Sequence, residues 1–388
     1  MYRLILRGAM LAEAGGLLRA DVAIDNERIT AIGGGMQDTA AEVVDVAGLV
    51  LGPGLVDVHV HGGGGHAFFT RDADRIAQYC DWAPRNGVTS FLISTIGRNA
   101  EDTEAILNAL QPMIGRLGGA EPLGFHLEGP FINPIRKGAF DPRMLHEPSA
   151  EAFDRYQAAA GGHIRQVTLA PELANALPLI RAVAASGAIP AMGHTDGIVG
   201  EVVAGFEAGI RHVTHLFNAM RPIHQREGGP AVHAMLEPSV TCELICDGAH
   251  VAPELLRLAY KVIGPARVVI VTDNLHLAGT GGMTGSFGGA AVSVEGAKAV
   301  REDGTIVGSV ATMDQHFRNA MEFLGVDMSI AFRLCSTNPA AIANAAARKG
   351  RLAPGFDADI VGFDAQGRVR LTLCRGAVVF DSREQAGG

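Results

Sequence analysis

The chain has 388 residues, 48% of them hydrophobic, with 50 glycines and a formal net charge of −9. That length can bury a large core with material beyond one barrel-sized domain. The acidic balance without a basic run argues against a nucleic-acid-binding surface, and with no apolar segment long enough to span a bilayer and no charged-then-apolar leader a soluble, cytoplasmic protein is expected.

Residues 2–50 alternate like short antiparallel strands (Leu4-Ile-Leu, Asp21-Val-Ala-Ile, Ile29-Thr-Ala-Ile) between glycine clusters. Eight short runs rich in Val, Ile, Leu and Thr then follow, at 55–61, 88–96, 123–129, 165–170, 188–194, 211–217, 240–247 and 267–273. The segments between them, such as 72–86 and 101–116, are long enough for right-handed crossover helices. Eight such units predict an α/β fold, a (β/α)8 TIM-like barrel. A glycine-rich stretch at 279–289 follows the last run and suits a flexible lid. The tail (Gly355-Phe-Asp-Ala-Asp-Ile-Val-Gly-Phe, Val369-Arg-Leu-Thr-Leu, Ala377-Val-Val-Phe) returns to the character of the first fifty residues. The expected organisation is therefore a small β-sandwich from 1–52 and 353–388 flanking a catalytic barrel at 53–352. Cys80, Cys242, Cys246, Cys335 and Cys374 have apolar neighbours and no zinc-ribbon spacing, which predicts reduced, buried thiols.

Five of the eight runs carry metal-competent residues late in the run or just past it: His59 and His61, Glu128, His194, His215 and Asp273. Positions i and i+2 share one face of a strand, so both imidazoles of the His-x-His can reach one ion. Catalytic groups of a barrel gather at the carboxyl ends of its strands, where this pattern falls. His59, His61 and Asp273 could hold one divalent ion, His194 and His215 a second, with Glu128 bridging. Imidazole and carboxylate ligands suit zinc, iron(II), manganese or cobalt without choosing among them. Asp273 could also take a proton from the attacking water and return it to a departing amine, or be a ligand only. No lysine stands at a strand end to serve as a bridging carbamate. The other histidines, His126 among them, read as structural or surface residues, His126 alternating with Glu128 as packing or support.

The chain resembles the N-acetylglucosamine-6-phosphate deacetylases of the amidohydrolase superfamily. The resemblance is carried in order by Pro53-Gly-Leu-Val-Asp-Val-His-Val-His-Gly, His126-Leu-Glu-Gly-Pro-Phe, Gly193-His-Thr, Thr214-His-Leu-Phe-Asn-Ala-Met, Asp247-Gly-Ala-His, Val271-Thr-Asp and Gly308-Ser-Val-Ala-Thr-Met-Asp. It implies hydrolysis of the acetamide of N-acetyl-D-glucosamine 6-phosphate, with Glu128, His194 and His215 as the common metal ligands. The His-x-His places the chain with the two-metal members, zinc being the expected ion. By the same resemblance Asp273 is the acid/base and His250 binds the sugar or polarises the acetyl carbonyl. Asn218 and the backbone at Ala219 hold the phosphate with Arg226, which reaches in from the other subunit of a homodimer. Ala139, Ala311 and Met313 line the sugar pocket. Two positions depart from the family pattern: Phe140 stands where a sugar-contacting histidine is common, and Asn274 where a small residue is usual. Either points to an altered preference, such as the galactosamine epimer or another N-acyl group.

Overall fold

The computed structural model describes residues 2–13, 16–37, 42–287 and 289–383. The chain opens with β1 (Leu4–Glu13), β2 (Gly16–Asp25) and β3 (Arg28–Gly33), an antiparallel meander, followed by β4 (Glu42–Asp45) and β5 (Val50–Pro53). The free edge of β1 has two parallel partners, β4 along its first half and β5 further on, and the register breaks between Leu6 and Ala9. Gly8 sits in that break at φ +80°, a backbone that L side chains rarely adopt.

One residue, Gly54, separates β5 from the first barrel strand, β6 (Leu55–Asp57). A two-residue hairpin, β7 (Gly62–Gly63) with β8 (His66–Ala67), projects from its end. The barrel continues with β9 (Val88–Thr95), β10 (Glu121–Glu128), β11 (Ile164–Leu169), β12 (Ile189–Met192), β13 (His212–Val213), β14 (Thr241–Ile245) and β15 (Val268–Val271). All eight pair in parallel in chain order, and each falls on its predicted run. β9 and β10 are buried along their whole length, because one face lines the barrel interior and the other the helix layer. The predicted helix over 72–86 forms as Ala73–Trp82 plus a 3-10 turn at Ala83–Asn86, started by the Asp72 carboxylate accepting from the Asp74 amide and stopped at Gly87 with φ 79°. The helix predicted over 101–116 is Ala100–Leu110, capped by Asn99.

Closure between β6 and β15 depends on a side chain. The buried Asp57 carboxylate accepts from the Thr272 hydroxyl at 2.6 Å and the Thr272 amide at 3.3 Å. Above it the seam is main-chain: Asp273 N–H donates to the His59 carbonyl (2.9 Å) and His61 N–H to the Asn274 carbonyl (2.8 Å).

Beyond β15 the chain builds a four-stranded antiparallel sheet, β16 (Thr284–Phe287), β17 (Ala290–Glu295), β18 (Lys298–Val300) and β19 (Ile306–Ser309). The segment read as a lid loop thus contains a strand, hydrogen-bonded to β17 and packed over Leu275, Leu277, Val292, Ala299 and Val307. The sequence signal was masked by the adjacent Gly285 and Ser286 in the middle of β16. After the helix Met313–Leu324 the chain returns as β20 (Ile360–Phe363), β21 (Val369–Cys374) and β22 (Ala377–Asp381). β20 pairs antiparallel with β5, so the two chain ends do meet, in one continuous sheet of order β22-β21-β20-β5-β1-β2-β3 with β4 also on β1. Its core of Leu4, Leu6, Leu11, Val22, Ile24, Leu51, Ile360 and Leu371 is distinct from the barrel core. All five cysteines are buried and free, Cys242 and Cys246 within the barrel core. Among the described residues no helix is long and apolar enough to cross a membrane.

Candidate active site

Three candidate ligands share one backbone device. His194, His215 and Asp273 each lie two residues past the last residue of their strand, and each has positive φ (48°, 29° and 51°). Non-glycine residues pay of order 1–3 kcal/mol for this conformation, and such strain collects where a side chain must be aimed. Here it turns the three side chains into the barrel mouth. Gly308 permits the closest of these turns: a Cβ there would stand 2.7 Å from the Asp273 carbonyl oxygen, and the neighbouring Ser309 N–H donates to that oxygen at 2.9 Å.

Glu128, the last residue of β10, is the centre of the cluster. Its Oε1 lies 2.9 Å from His215 Nε2, 3.1 Å from His194 Nε2 and 3.4 Å from His59 Nε2, and its Oε2 lies 3.0 Å from His61 Nε2. Asp273 Oδ1 lies 3.5 Å from His59 Nε2 and 3.4 Å from His61 Nε2. All six residues are buried. Each of three rings presents Nε2 to this centre because its Nδ1 is engaged behind: His61 with the Ser94 carbonyl (3.0 Å), His194 with the Arg136 carbonyl (2.7 Å) and His59 with Glu243 (2.9 Å). His126 lies one layer below, between the Ser94 and Thr168 hydroxyls and edge-on to His59.

The cluster opens into a cavity of about 280 Å³ whose wall includes Gly138, Ala139, Phe140, Asn218, Ala219 and His250, with Phe287, Thr305, Ile306 and Val307 from the inserted sheet. His250 Nδ1 meets Asp247 Oδ2 at 2.6 Å, which leaves Nε2 as its other polar atom. Phe140 sets its ring edge-on to His194. Arg226 lies outside this cavity, on an exposed loop closed by main-chain bonds between His224 and Glu227. Ala311 is buried, and Met313 packs into the barrel core; neither lines the cavity. Asn274 is held in the barrel seam by its backbone. The sequence reading passed over Asp57 and Glu243. Both are carboxylates in the middle of apolar strand runs, a placement that is costly without partners and was itself the available signal.

Residues 50–383 match the amidohydrolase family. The chain is 36% identical over 347 residues to the N-acetylglucosamine-6-phosphate deacetylase of Bacillus subtilis (strain 168), covering 88% of each chain. It is 33% identical to that of Bos taurus over 98% of this chain and 95% of the other. Among solved structures, an aspartate-to-alanine variant of N-acetyl-D-glucosamine-6-phosphate deacetylase from Mycobacterium smegmatis, in complex with N-acetyl-D-glucosamine-6-phosphate, has a TM-score of 0.90 at 32% identity, covering 98% of this chain and 100% of that one. The chain belongs to the amidohydrolase family, among its N-acetylglucosamine-6-phosphate deacetylases.

Members of this family depend on metal, and the residues here fit a divalent ion. Two groups have ligand atoms close enough to share an ion, His59/His61/Glu128 and Glu128/His194/His215, and Glu128 belongs to both. His59 Nε2 is buried with no hydrogen-bond partner and faces the two carboxylates. The electrostatics agree. Burial alone pushes His61 down, but the Asp273 and Glu128 carboxylates outweigh it and lift the imidazole to about 9. Burial likewise raises Glu128, and His59, His194 and His215 bring it well below the usual carboxylate range. The field at the barrel mouth favours positive charge and keeps the carboxylates ionised. Among the described residues no lysine lines the cavity, which leaves the shared position to Glu128.

Proposed function

We propose that the chain hydrolyses the acetamide of N-acetyl-D-glucosamine 6-phosphate to D-glucosamine 6-phosphate and acetate, by the following arrangement of its residues. The observation that carries the reading is the position of Asp273: a carboxylate fixed by main-chain bonds on both sides, in the same cavity wall as Glu128, His61, His194 and His215, and 3.5 Å from Nε2 of the fully buried His59. His59, His61 and Asp273 would hold one divalent ion, and His194 and His215 a second, with Glu128 common to both. A cation so held lowers the pKa of water and polarises a carbonyl. We assign zinc, with iron(II), manganese and cobalt as compatible alternatives for this thiolate-free set. Asp273 accepts the proton of the attacking water and delivers it to the amine nitrogen as the C–N bond breaks. His250, oriented by Asp247, turns Nε2 to the acetyl carbonyl or a sugar hydroxyl. Asn218 and the left-handed backbone at Ala219 (φ 50°) receive the phosphate, completed by Arg226 of a second subunit, whose exposure leaves its guanidinium free to cross a dimer interface. The five buried free thiols fit a reducing, cytoplasmic compartment.

The test is acetate release from N-acetylglucosamine 6-phosphate, its galactosamine epimer and the unphosphorylated sugar, with metal content determined on the same sample. Preference for the first is expected. Activity on none of them with metal bound would discard this substrate and keep the hydrolase. Phe140 favours keeping the epimer or another N-acyl amino-sugar phosphate as the second reading, because it offers no hydrogen bond beside His194. A strict monomer in light scattering would remove Arg226 from the site.

A further inference from the structure

Of the four imidazoles around Glu128, one is backed by a full negative charge. His61 and His194 have peptide carbonyls behind Nδ1, and His215 Nδ1 is buried without a partner. His59 alone has a carboxylate there, Glu243, from the third position of β14. Glu243 is completely buried, and each of its oxygens receives two nitrogen donors. Oε2 takes His59 Nδ1 and the backbone N–H of His215, both at 2.9 Å; Oε1 takes Gln166 Nε2 at 2.9 Å and His212 Nε2 at 3.0 Å. With four donors on two oxygens, its rotamer has no freedom left.

Two consequences follow from this geometry. A carboxylate that accepts from His59 Nδ1 fixes the proton on that nitrogen, so the Nε2 lone pair faces Glu128 and Asp273. The same oxygen also anchors the main chain of His215 at its left-handed turn, so one atom braces a ligand from each of the two groups. A histidine backed by a carboxylate is a more basic ligand than one backed by a peptide carbonyl. We infer that Glu243 is the positioning residue of this centre, holding His59 in its ligating tautomer and giving the His59/His61/Glu128 position a charge-backed imidazole that the Glu128/His194/His215 position lacks. The inference rests on the proposed two-ion reading.

Replacement by glutamine tests the charge with little change of shape. An amide can keep its carbonyl toward His59 and the His215 amide, while Gln166 flips and His212 changes tautomer toward Thr241, whose hydroxyl lies 2.6 Å from its Nδ1. The zinc-loaded enzyme would be titrated with a competing chelator and the zinc retained measured by atomic emission. Glu243→Gln is expected to weaken one of the two ions by roughly 10- to 100-fold and leave the other unchanged. Gln166→Leu, which disturbs the same buried layer without removing charge from behind His59, is expected to hold both ions as wild type does. Both ions unchanged in Glu243→Gln, both lost together, or the same loss in Gln166→Leu would overturn the role of Glu243. If Glu243→Gln does not fold, 15N-histidine spectra of the wild-type zinc enzyme decide: a proton on His59 Nδ1 is expected, and its absence overturns the inference. Wild-type protein that binds no metal at all would instead overturn the metalloenzyme reading beneath it.

Discussion

A single strand, β10, carries a glutamate at each end, about 23 Å apart at 3.3 Å per residue, and the two are used in opposite ways. Glu121, at the amino end, is met by Arg348 (2.5 Å) and Lys349 (2.9 Å), and Lys349 also pairs with Asp359 of the terminal sheet. Arg348 and Arg375 complete the set around Asp357. Glu128, at the carboxyl end, has four imidazoles and a second carboxylate around it, the unpartnered Nε2 of His59, and neighbours on strained turns. Buried charge balanced by fixed opposite charge joins the barrel floor to the terminal sheet; buried charge held by groups that can ligate a cation or pass a proton is available for chemistry. The difference follows the general division of labour between the two faces of a barrel.

That contrast can be broken from either end. The largest effect is expected at the mouth: Asp273→Asn should lower kcat by about 10²- to 10⁴-fold, read by acetate release, with little change in unfolding midpoint. A loss of only a few-fold would make Asp273 a ligand and nothing more. At the floor the order should invert. Lys349→Met leaves Glu121, Asp357 and Asp359 short of a cation and should cost about 3–5 kcal/mol in denaturant unfolding, with kcat/KM of the folded fraction retained. A smaller effect is expected of Gly308→Ala, whose Cβ meets the Asp273 carbonyl; a displaced acid/base should lower kcat by about 10- to 100-fold while metal content stays intact.

The smallest effect concerns acid. Burial raises Glu121, but Arg348 and Lys349 outweigh it and bring it from its ordinary 4.5 to about 2. Its ionised form therefore stabilises the fold fully above pH 4.5, and that contribution is lost as the pH falls through about 2. Acid unfolding followed by circular dichroism should be shallower across this window in Glu121→Gln than in wild type. An unchanged slope would mean that the floor cluster does not govern acid stability.

Much of the mouth was legible in the sequence because its signals are local. The apolar runs recur with helix-length segments between them, and His59, His61, Glu128, His194, His215 and Asp273 all fall at or within four residues past a strand end, so their convergence follows once the barrel closes. What escaped the sequence depends on contacts between distant residues. Asp57 closes the seam through Thr272, 215 residues away, and Glu243 meets His59 across 184 residues. The strand at Thr284–Phe287, hidden by its glycine and serine, exists because β17 is there to pair with it.

The sequence by itself determined the barrel and brought forward the candidate ligands, because recurring apolar runs and strand-end placement are properties of the covalent chain. Only the tertiary structure decided which nitrogen of each imidazole faces the centre, which carboxylate is spent on structure and which on the site, and that a sheet covers the mouth. Those choices rest on hydrogen bonds and left-handed turns that the folded neighbours impose.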